Sequence, residues 1–340
     1  MAGFIQSKSG YDPLSGQYRV RWFEESDLEA YIRGLNESLY DEYDEARFRW
    51  KMVNTPFNLG FVSIAVVEYA GEPVAFNSFL PLRVRRGEDI FSVVQGCDGF
   101  VNPEHRRMGL FQKTLQFAFG ELAGRGPKML MGFNFAGSAG AAQKVGSTIT
   151  GDFNSLRVKL SDLNKCSIEG NDEVEIKPCS LDDFHNLYED WAKITSKLHY
   201  YRTTEYLRWR YSHPIRRSMF YSIKDGDDTG YAAVSLERGN VSNTLFLEDY
   251  SPILNRPRVA SALINQVLHV GEPIDEIYLT EAMGSLMSNA VQLLGFVPDH
   301  FYTLIMKNIS GIEEFESKLF RGGVELTSIR NWSIVSSDIF

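Results

Sequence analysis

The sequence predicts an α+β protein built from two copies of one folding unit, and three observations carry that prediction. The first is length: 340 residues make about two domains at roughly 150 residues each, with chain enough to bury two cores. The second is a set of landmarks that recur in the same order. Phe48-Arg49-Trp50-Lys51-Met52 before Pro56 is matched by Leu207-Arg208-Trp209-Arg210-Tyr211 before Pro214, with the tryptophans 159 residues apart. Lys144-Val145-Gly146 is matched by Leu293-Leu294-Gly295 at an offset of 149, and the apolar helical stretch 115–122 by 263–270. The third is element order, because each copy reads as antiparallel strands followed by strand–helix–strand–helix.

In the first copy, Leu28, Tyr31, Ile32, Leu35 and Leu39 recur at helical spacing, which predicts an amphipathic helix over 25–40. Residues 61–69 are β-branched and apolar, and Ala70-Gly71-Glu72-Pro73 turns them into a second strand at 74–82. A third strand spans 90–101, and Pro103 precedes a helix at 108–123 closed by Gly124. A buried strand at 128–135 and a short helix at 138–145 complete the copy. In the second copy, Leu181, Phe184, Leu187, Tyr188, Trp191 and Ile194 share a helix face, and a hairpin turns at 224–230. Strand 244–250 leads to helix 259–270, and strand 274–281 to helix 288–294. The polar run at 161–174 reads as a linker, which predicts units at 1–160 and 174–340 joined by 161–173. Beyond them, Ile312, Phe315, Leu319 and Phe320 predict an amphipathic helix, and 324–339 a final strand.

Composition narrows the function classes. Hydrophobic residues at 44% and charged residues at 23% are ordinary for a globular chain and exclude a largely disordered one. A net charge of −9 argues against broad nucleic-acid binding, while leaving room for a local basic site that holds an anion. Cys97, Cys166 and Cys179 are too few for a disulfide framework or a zinc cluster, and the six histidines show no metal spacing. No apolar run approaches the roughly 20 residues that span a bilayer, and residues 1–10 have no signal-like apolar core. The expectation is a soluble cytoplasmic protein with no nucleic-acid or membrane partner and no metal; the oligomeric state is open.

The chemically informative segment is Asp98-Gly99-Phe100-Val101-Asn102-Pro103-Glu104-His105-Arg106-Arg107-Met108-Gly109-Leu110-Phe111. Cations at a helix N-terminus oppose the macrodipole by about 0.3–1 kcal/mol each. They fit there if an anion sits among the free backbone N–H groups, with Gly109 allowing close approach. The alternative is a solvated basic turn whose arginines pair with Glu104 or Glu121. Val101-x-Pro103-x-x-Arg106-x-x-Gly109, after a strand and opening a helix, resembles the acyl-CoA-binding motif of the GCN5-related N-acetyltransferases (GNATs). Phe111 departs from that pattern, standing where a small residue is usual. The likeness covers 18–160 well and 174–308 as a weaker second copy, so the expected fold is two tandem GNAT-like domains. Each would be a mixed, mostly antiparallel sheet flanked by helices.

The resemblance implies a function. The amides of Arg106, Arg107, Met108, Gly109, Leu110 and Phe111 would hold the pyrophosphate of acetyl-CoA or another acyl-CoA. The main chain at Phe100 and Val101 would pair with the pantetheine arm, and a bulge nearby would offer an N–H to the thioester carbonyl. Asn134 and Ser138 stand where the family often bonds the cofactor. An amine of a small molecule or peptide would then attack directly once a general base removes its proton. The family's usual tyrosine acid is replaced by Ala142, and by Val291 in the second copy. Asp98 and Glu68 are the base candidates, and each reads equally well as a structurally paired carboxylate. The second copy lacks an Arg-x-x-Gly loop and has Pro252 and Pro257 in its place, so it is expected to build a cleft wall. His199-Tyr200-Tyr201-Arg202 with Tyr206, Trp209 and Tyr211 could line that cleft, but reads more readily as core and interface. Two other functions stay open: a non-catalytic acyl-CoA-binding module, and an aminoacyl transferase of related fold.

Overall fold

A computed structural model describes residues 17–39, 42–163, 174–239, 242–269, 271, 273–309 and 328–339. The first unit runs β1 (Tyr18–Trp22), α1 (Leu28–Ser38) and α2 (Glu45–Phe48), the last leading into a π-helical turn over Arg49–Val53. It continues through β2 (Ile64–Tyr69), β3 (Glu72–Arg86), β4 (Asp89–Val101), α3 (Leu110–Leu122), β5 (Met129–Asn134), α4 (Ala136–Lys144) and β6 (Thr148–Lys159). The second runs β7 (Val174–Pro178), α5 (Leu181–Ile194), β8 (His199–Tyr200), α6 (Thr204–Arg210), β9 (Arg216–Asp225) and β10 (Asp228–Arg238). It ends β11 (Asn243–Tyr250), α7 (Pro257–Leu268), β12 (Glu276–Ala282), α8 (Leu286–Gln292) and β13 (Val297–Asn308).

Local chemistry accounts for most of these elements. Tyr31 and Leu35 of α1 are fully buried against Phe48, Phe76 and Phe100, as the helical spacing requires. Ser180 and Asp183 form a reciprocal capping box that starts α5. Ile194, expected on the buried face of that helix, is 85% exposed, because the chain leaves the helix at the very next residue in an extended conformation. Residues 328–339 hold two 3-10 turns, Ile329–Asn331 and Ser336–Asp338, where a strand was expected. The Asp338 carboxylate accepts the Val335 N–H at 3.0 Å, a local bond that competes with strand pairing. The helix expected around 312–320 lies outside the described residues.

The strands form one sheet whose order shows how the two copies join: β1-β2-β3-β4-β5-β13-β6-β12-β11-β10-β9-β7, with β8 added beside β3. In each unit the leading strands are antiparallel and one pair is parallel, β4 with β5 and β11 with β12. The final strands are exchanged. β13 of the second unit lies against β5 of the first, β6 of the first lies against β12 of the second, and the two pair with each other.

The sequence repeat meets itself at this junction. Trp50 and Trp209 stack at 5.4 Å and 16°, and the indole N–H of each donates to the carbonyl of the other, at 2.8 and 2.6 Å. Reciprocal contacts of this kind mark a two-fold relation between equivalent surfaces. Around them Leu80, Phe153, Tyr200, Tyr206, Tyr231 and Leu304 form a core fed by both units. The aromatic run near Tyr200 is therefore packing. No helix among the described residues is long and apolar enough to cross a membrane.

Candidate active site

Two parallel strands that part company create the site. β4 and β5 pair only from Val93 to Gly96 against Met129 to Gly132. Beyond that β4 stays with β3 while β5 stays with β13, so a wedge opens beside Cys97 and Asp98. At the wedge β4 carries a bulge: Phe76 pairs with Phe100 and Ser78 with Cys97, which leaves Asp98 and Gly99 opposite Asn77 alone. Asp98 is left-handed there, with φ of 45°. Gly99 sits in a tight spot, since a Cβ would lie 3.0 Å from the Asn77 side chain. The wedge opens into a cavity of about 540 Å³, lined by Asp98, Asn134 and Ser138 from one unit and Arg216, Glu248 and Tyr278 from the other.

At one end of the wedge, a 3-10 turn over Pro103–His105 leads into α3. Tyr18 hydrogen-bonds His105 Nδ1 at 3.0 Å, which ties the imidazole to β1. Arg106 folds back so that its Nε donates to the Val101 carbonyl at 3.0 Å. Arg107 and Gly109 are both left-handed, with φ of 66° and 70°. The first bond inside α3 runs from the Lys113 N–H to Gly109 O at 3.1 Å, so the amides of Leu110, Phe111 and Gln112 have no helical acceptor. Alternating left-handed residues before a helix start make a concave set of N–H donors suited to an anion. Arg106, Arg107 and Met108 are exposed on this loop, Leu110 is buried beneath it, and Phe111 lines the cavity with its ring against Gly99. Phe100 packs on Phe76 and Tyr31, so only its main chain and that of Val101 face the task expected of them. This donor set fits the pyrophosphate of an acyl-CoA.

The two carboxylates expected as bases are separated. Asp98 lines the cavity, buried, with Lys51 Nζ at 2.7 Å. Glu68 does not reach it: antiparallel pairing of β1 with β2 sets Arg21 beside it, and Arg21 Nε donates to Glu68 at 2.8 Å while gripping Asp27. Glu68 is a structural carboxylate two strands from the bulge. Ala142 is fully buried in the core beneath α3, so no side chain there could protonate a leaving group in the cavity. Cys97 also lines the cavity, but burial pushes its thiol up to about 12, which makes it a poor nucleophile.

Several residues at the site were missed from sequence, although one signal marked them. Lys51 follows Trp50 as Arg210 follows Trp209, and both are buried cations. Lys51 meets Asp98 on β4, and Arg210 meets Glu248 on β11 at 3.1 Å. The repeated Trp-Lys/Trp-Arg pair thus places one cation under each parting strand. Arg216 binds Glu248 at 2.9 Å and Glu237 at 2.8 Å, and lies over the Phe246 ring at 3.9 Å.

The second unit has the same wedge, filled by the chain itself. β11 and β12 pair only over Thr244–Phe246 and Glu276–Tyr278. Into the gap comes the segment near residue 338: Ser336 Oγ accepts the Thr280 N–H at 2.7 Å, and Asp338 grips Arg202 at 2.9 and 3.0 Å. Arg202 also meets Asp249. At the start of α7, Arg256 and Arg258 turn to the buried carboxylate of Asp225, at 2.5 and 2.7 Å.

No family model matches the chain, and no curated protein matches it in sequence. Solved structures do match. A GCN5-related N-acetyltransferase from Anabaena variabilis shares 86% of this chain and 73% of its own length, with a TM-score of 0.60 at 14% identity. One from Kribbella flavida gives 0.58 at 14% identity, over 86% and 71%. A tandem GNAT protein from the clavulanic acid biosynthesis pathway gives 0.57 at 12% identity, over 86% of this chain and 99% of that one. The chain therefore has the tandem GNAT fold, a mixed α+β sheet used twice.

Proposed function

We propose that the protein is an N-acyltransferase that moves an acyl group, acetyl in the simplest case, from acyl-CoA to an amine of a small molecule or peptide. The observation that carries this reading is the bulged wedge at Asp98-Gly99, opening on one side to the left-handed loop before α3 and on the other to a cavity walled by the second unit. The loop amides and Arg107 hold the pyrophosphate. The free edge of β4 beyond Gly96 takes the pantetheine arm as an added strand. An N–H of the bulge polarises the thioester carbonyl. The amine nitrogen forms the new bond to the carbonyl carbon as the C–S bond breaks. Asp98 takes the proton the amine gives up, with Lys51 as its counter-ion. The thiolate leaves with CoA and takes its proton from water, since position 142 supplies no acid. The high thiol pKa of Cys97 favours this direct route over an acyl-enzyme.

One acyl-CoA binds per chain in this reading. In the second unit Ser336 already takes the Thr280 amide, and Asp225 already takes the arginines at the helix start. Calorimetric titration with acetyl-CoA, CoA and a longer acyl-CoA tests it. Binding near one per chain, with thiol release in the presence of amines, is the expected result. Binding without thiol release from any amine would leave an acyl-CoA-binding module, and no binding of any of the three would refute the reading.

A further inference from the structure

Aromatic rings floor the part of the main cavity that both units build. Asn134 of β5 pairs with Thr303 of β13, which sets Phe135 and Tyr302 side by side on one face of the sheet, ring centroids 5.2 Å apart. Two strands further on, Tyr278 of β12 pairs with Phe246 of β11, with centroids 5.4 Å apart at 62°. β6, which lies between, contributes the small Ser155, and the Tyr278 hydroxyl donates to its Oγ at 2.5 Å. All four rings line the cavity. Burial first, then the neighbouring Tyr302, push the Tyr278 hydroxyl up to about 12. It therefore stays protonated at neutral pH, and the two pairs meet as one row.

The two ends of the row differ. At the far end the Arg216 guanidinium lies 3.9 Å over the Phe246 ring and covers it. At the near end Phe135 is 55% exposed, although its backbone is fixed. Its carbonyl accepts the N–H groups of Ser138 and Ala139 and the Ser138 hydroxyl, each at 3.0 Å. A ring held in place and left uncovered inside a cavity is apolar surface that a ligand can bury. The polar groups along the same wall already have partners. Arg216 holds Glu248 and Glu237, Tyr278 holds Ser155, and Ser336 holds the Thr280 amide. The near end also adjoins the wedge. β4 and β5 last pair at Gly96 and Gly132, so Asp98 and Asn134 stand two residues further on, across the opening from each other, and Phe135 follows Asn134.

We propose that the acyl acceptor is an arylalkyl amine, whose flat aromatic group lies on Phe135 and Tyr302 while a short alkyl chain carries the amine to Asp98 at the bulge. Offset and edge-on contacts between rings favour an aromatic guest over an aliphatic one of the same size. A hydroxylated body such as a sugar would set polar groups against ring surface and lose their hydration there. The bond-making step is that of the acyltransfer above: the amine nitrogen joins the carbonyl carbon, the C–S bond breaks and Asp98 takes the amine proton. This inference deepens the acyltransfer reading and rests on it for the direction in which the amine points. The binding of the aromatic group does not depend on turnover.

The test is calorimetric binding, with and without CoA, of phenylalkyl amines with linkers of graded length, the matching cyclohexyl and straight-chain amines, and amino sugars, followed by thiol release from acetyl-CoA with each. The best phenylalkyl amine is expected to bind at least about tenfold more tightly than its straight-chain counterpart and to release thiol. Phe135→Ala is expected to bring that ratio close to one, and Phe135→Tyr to keep most of it. Tyr302→Ala removes the other half of the platform and is expected to act in the same direction, which keeps the test open if one variant fails to fold. Acetyl-CoA affinity is the independent control. No acetyl-CoA binding by the wild type would defeat the acyltransfer reading, while the aryl preference measured without CoA would still judge the aromatic floor. Cyclohexyl amines, straight-chain amines or amino sugars that bind as tightly as the phenylalkyl amines would overturn the proposal. So would a preference that survives both alanine variants in folded protein, or no binding by any amine of the panel. An aryl amine that binds but takes no acetyl group from bound acetyl-CoA would overturn its role as acceptor.

Discussion

Gly109→Val separates the loop's role in binding from its role in folding. Gly109 sits at φ of 70°, a region a β-branched residue enters at a cost of about 1–3 kcal/mol. The added Cβ would lie 3.2 Å from Gln112 Oε1, the far end of a flexible side chain that can turn away, so the strain is mainly in the backbone. In a chain of this size such a loss lowers Tm by no more than about 10 °C. Binding should suffer far more. Each amide donated to a charged group contributes about 1.5–3 kcal/mol, and a loop that relaxes away from the left-handed turn misaligns at least two of them. The expected loss is about 3–6 kcal/mol, roughly 100-fold or more in acyl-CoA affinity by calorimetry. Gly109→Ala, with the same backbone demand and less bulk, should fall between. A folded Gly109→Val protein that binds acetyl-CoA within about threefold of wild type would refute the pyrophosphate assignment.

Three further perturbations follow from the same geometry. Arg107, a non-glycine residue at φ of 66°, carries strain that Arg107→Gly should relieve, stabilising the protein by about 0.5–1 kcal/mol in urea unfolding while weakening acyl-CoA binding most at low salt; a destabilised variant contradicts this. Lys51→Met removes the counter-ion of buried Asp98 and should cost about 3–5 kcal/mol, most of it recovered by adding Asp98→Asn; a loss below about 1 kcal/mol would show the pair to be incidental. Burial holds the Glu281 carboxyl at about 8 against an ordinary 4.5, so the folded state keeps a proton that the unfolded chain gives up between those pH values. Stability therefore falls as pH rises from 4.5 to 8. Glu281→Gln should flatten that fall, and a variant whose Tm declines from pH 5 to pH 8 as steeply as wild type would exclude this carboxyl as its source.

Much of the fold was legible because it depends on local pattern. The helical spacing of Leu28, Tyr31 and Leu35, the β-branched and apolar runs that mark β2 to β4, and the turn residues between them are short-range properties. The Arg106-x-x-Gly109 spacing located the left-handed loop before α3 for the same reason: it describes one turn of backbone. Strands β1, β7 and β8 and helices α2 and α6 were not read, being short elements of two to seven residues whose formation depends on what they pack against. The twelve-residue strands β6 and β13, which the two copies exchange, were not read either.

What the sequence determined by itself, then, is the repeated α+β unit, the loop before α3 and the acidic, cysteine-poor character of the chain. Tertiary structure decided which carboxylate stands at the bulge, where the exchanged strands go and what fills the second wedge. Glu68 and Asp98 look alike in sequence; only the pairing of β1 with β2 gives one to Arg21, and only the π-helical turn gives the other to Lys51. The exchange of β6 and β13 is hidden for a further reason. Two copies of one unit offer equivalent edges, so pairing within a copy and pairing across copies satisfy the same backbone hydrogen bonds, and chain connectivity together with the shared core around Trp50 and Trp209 selects between them.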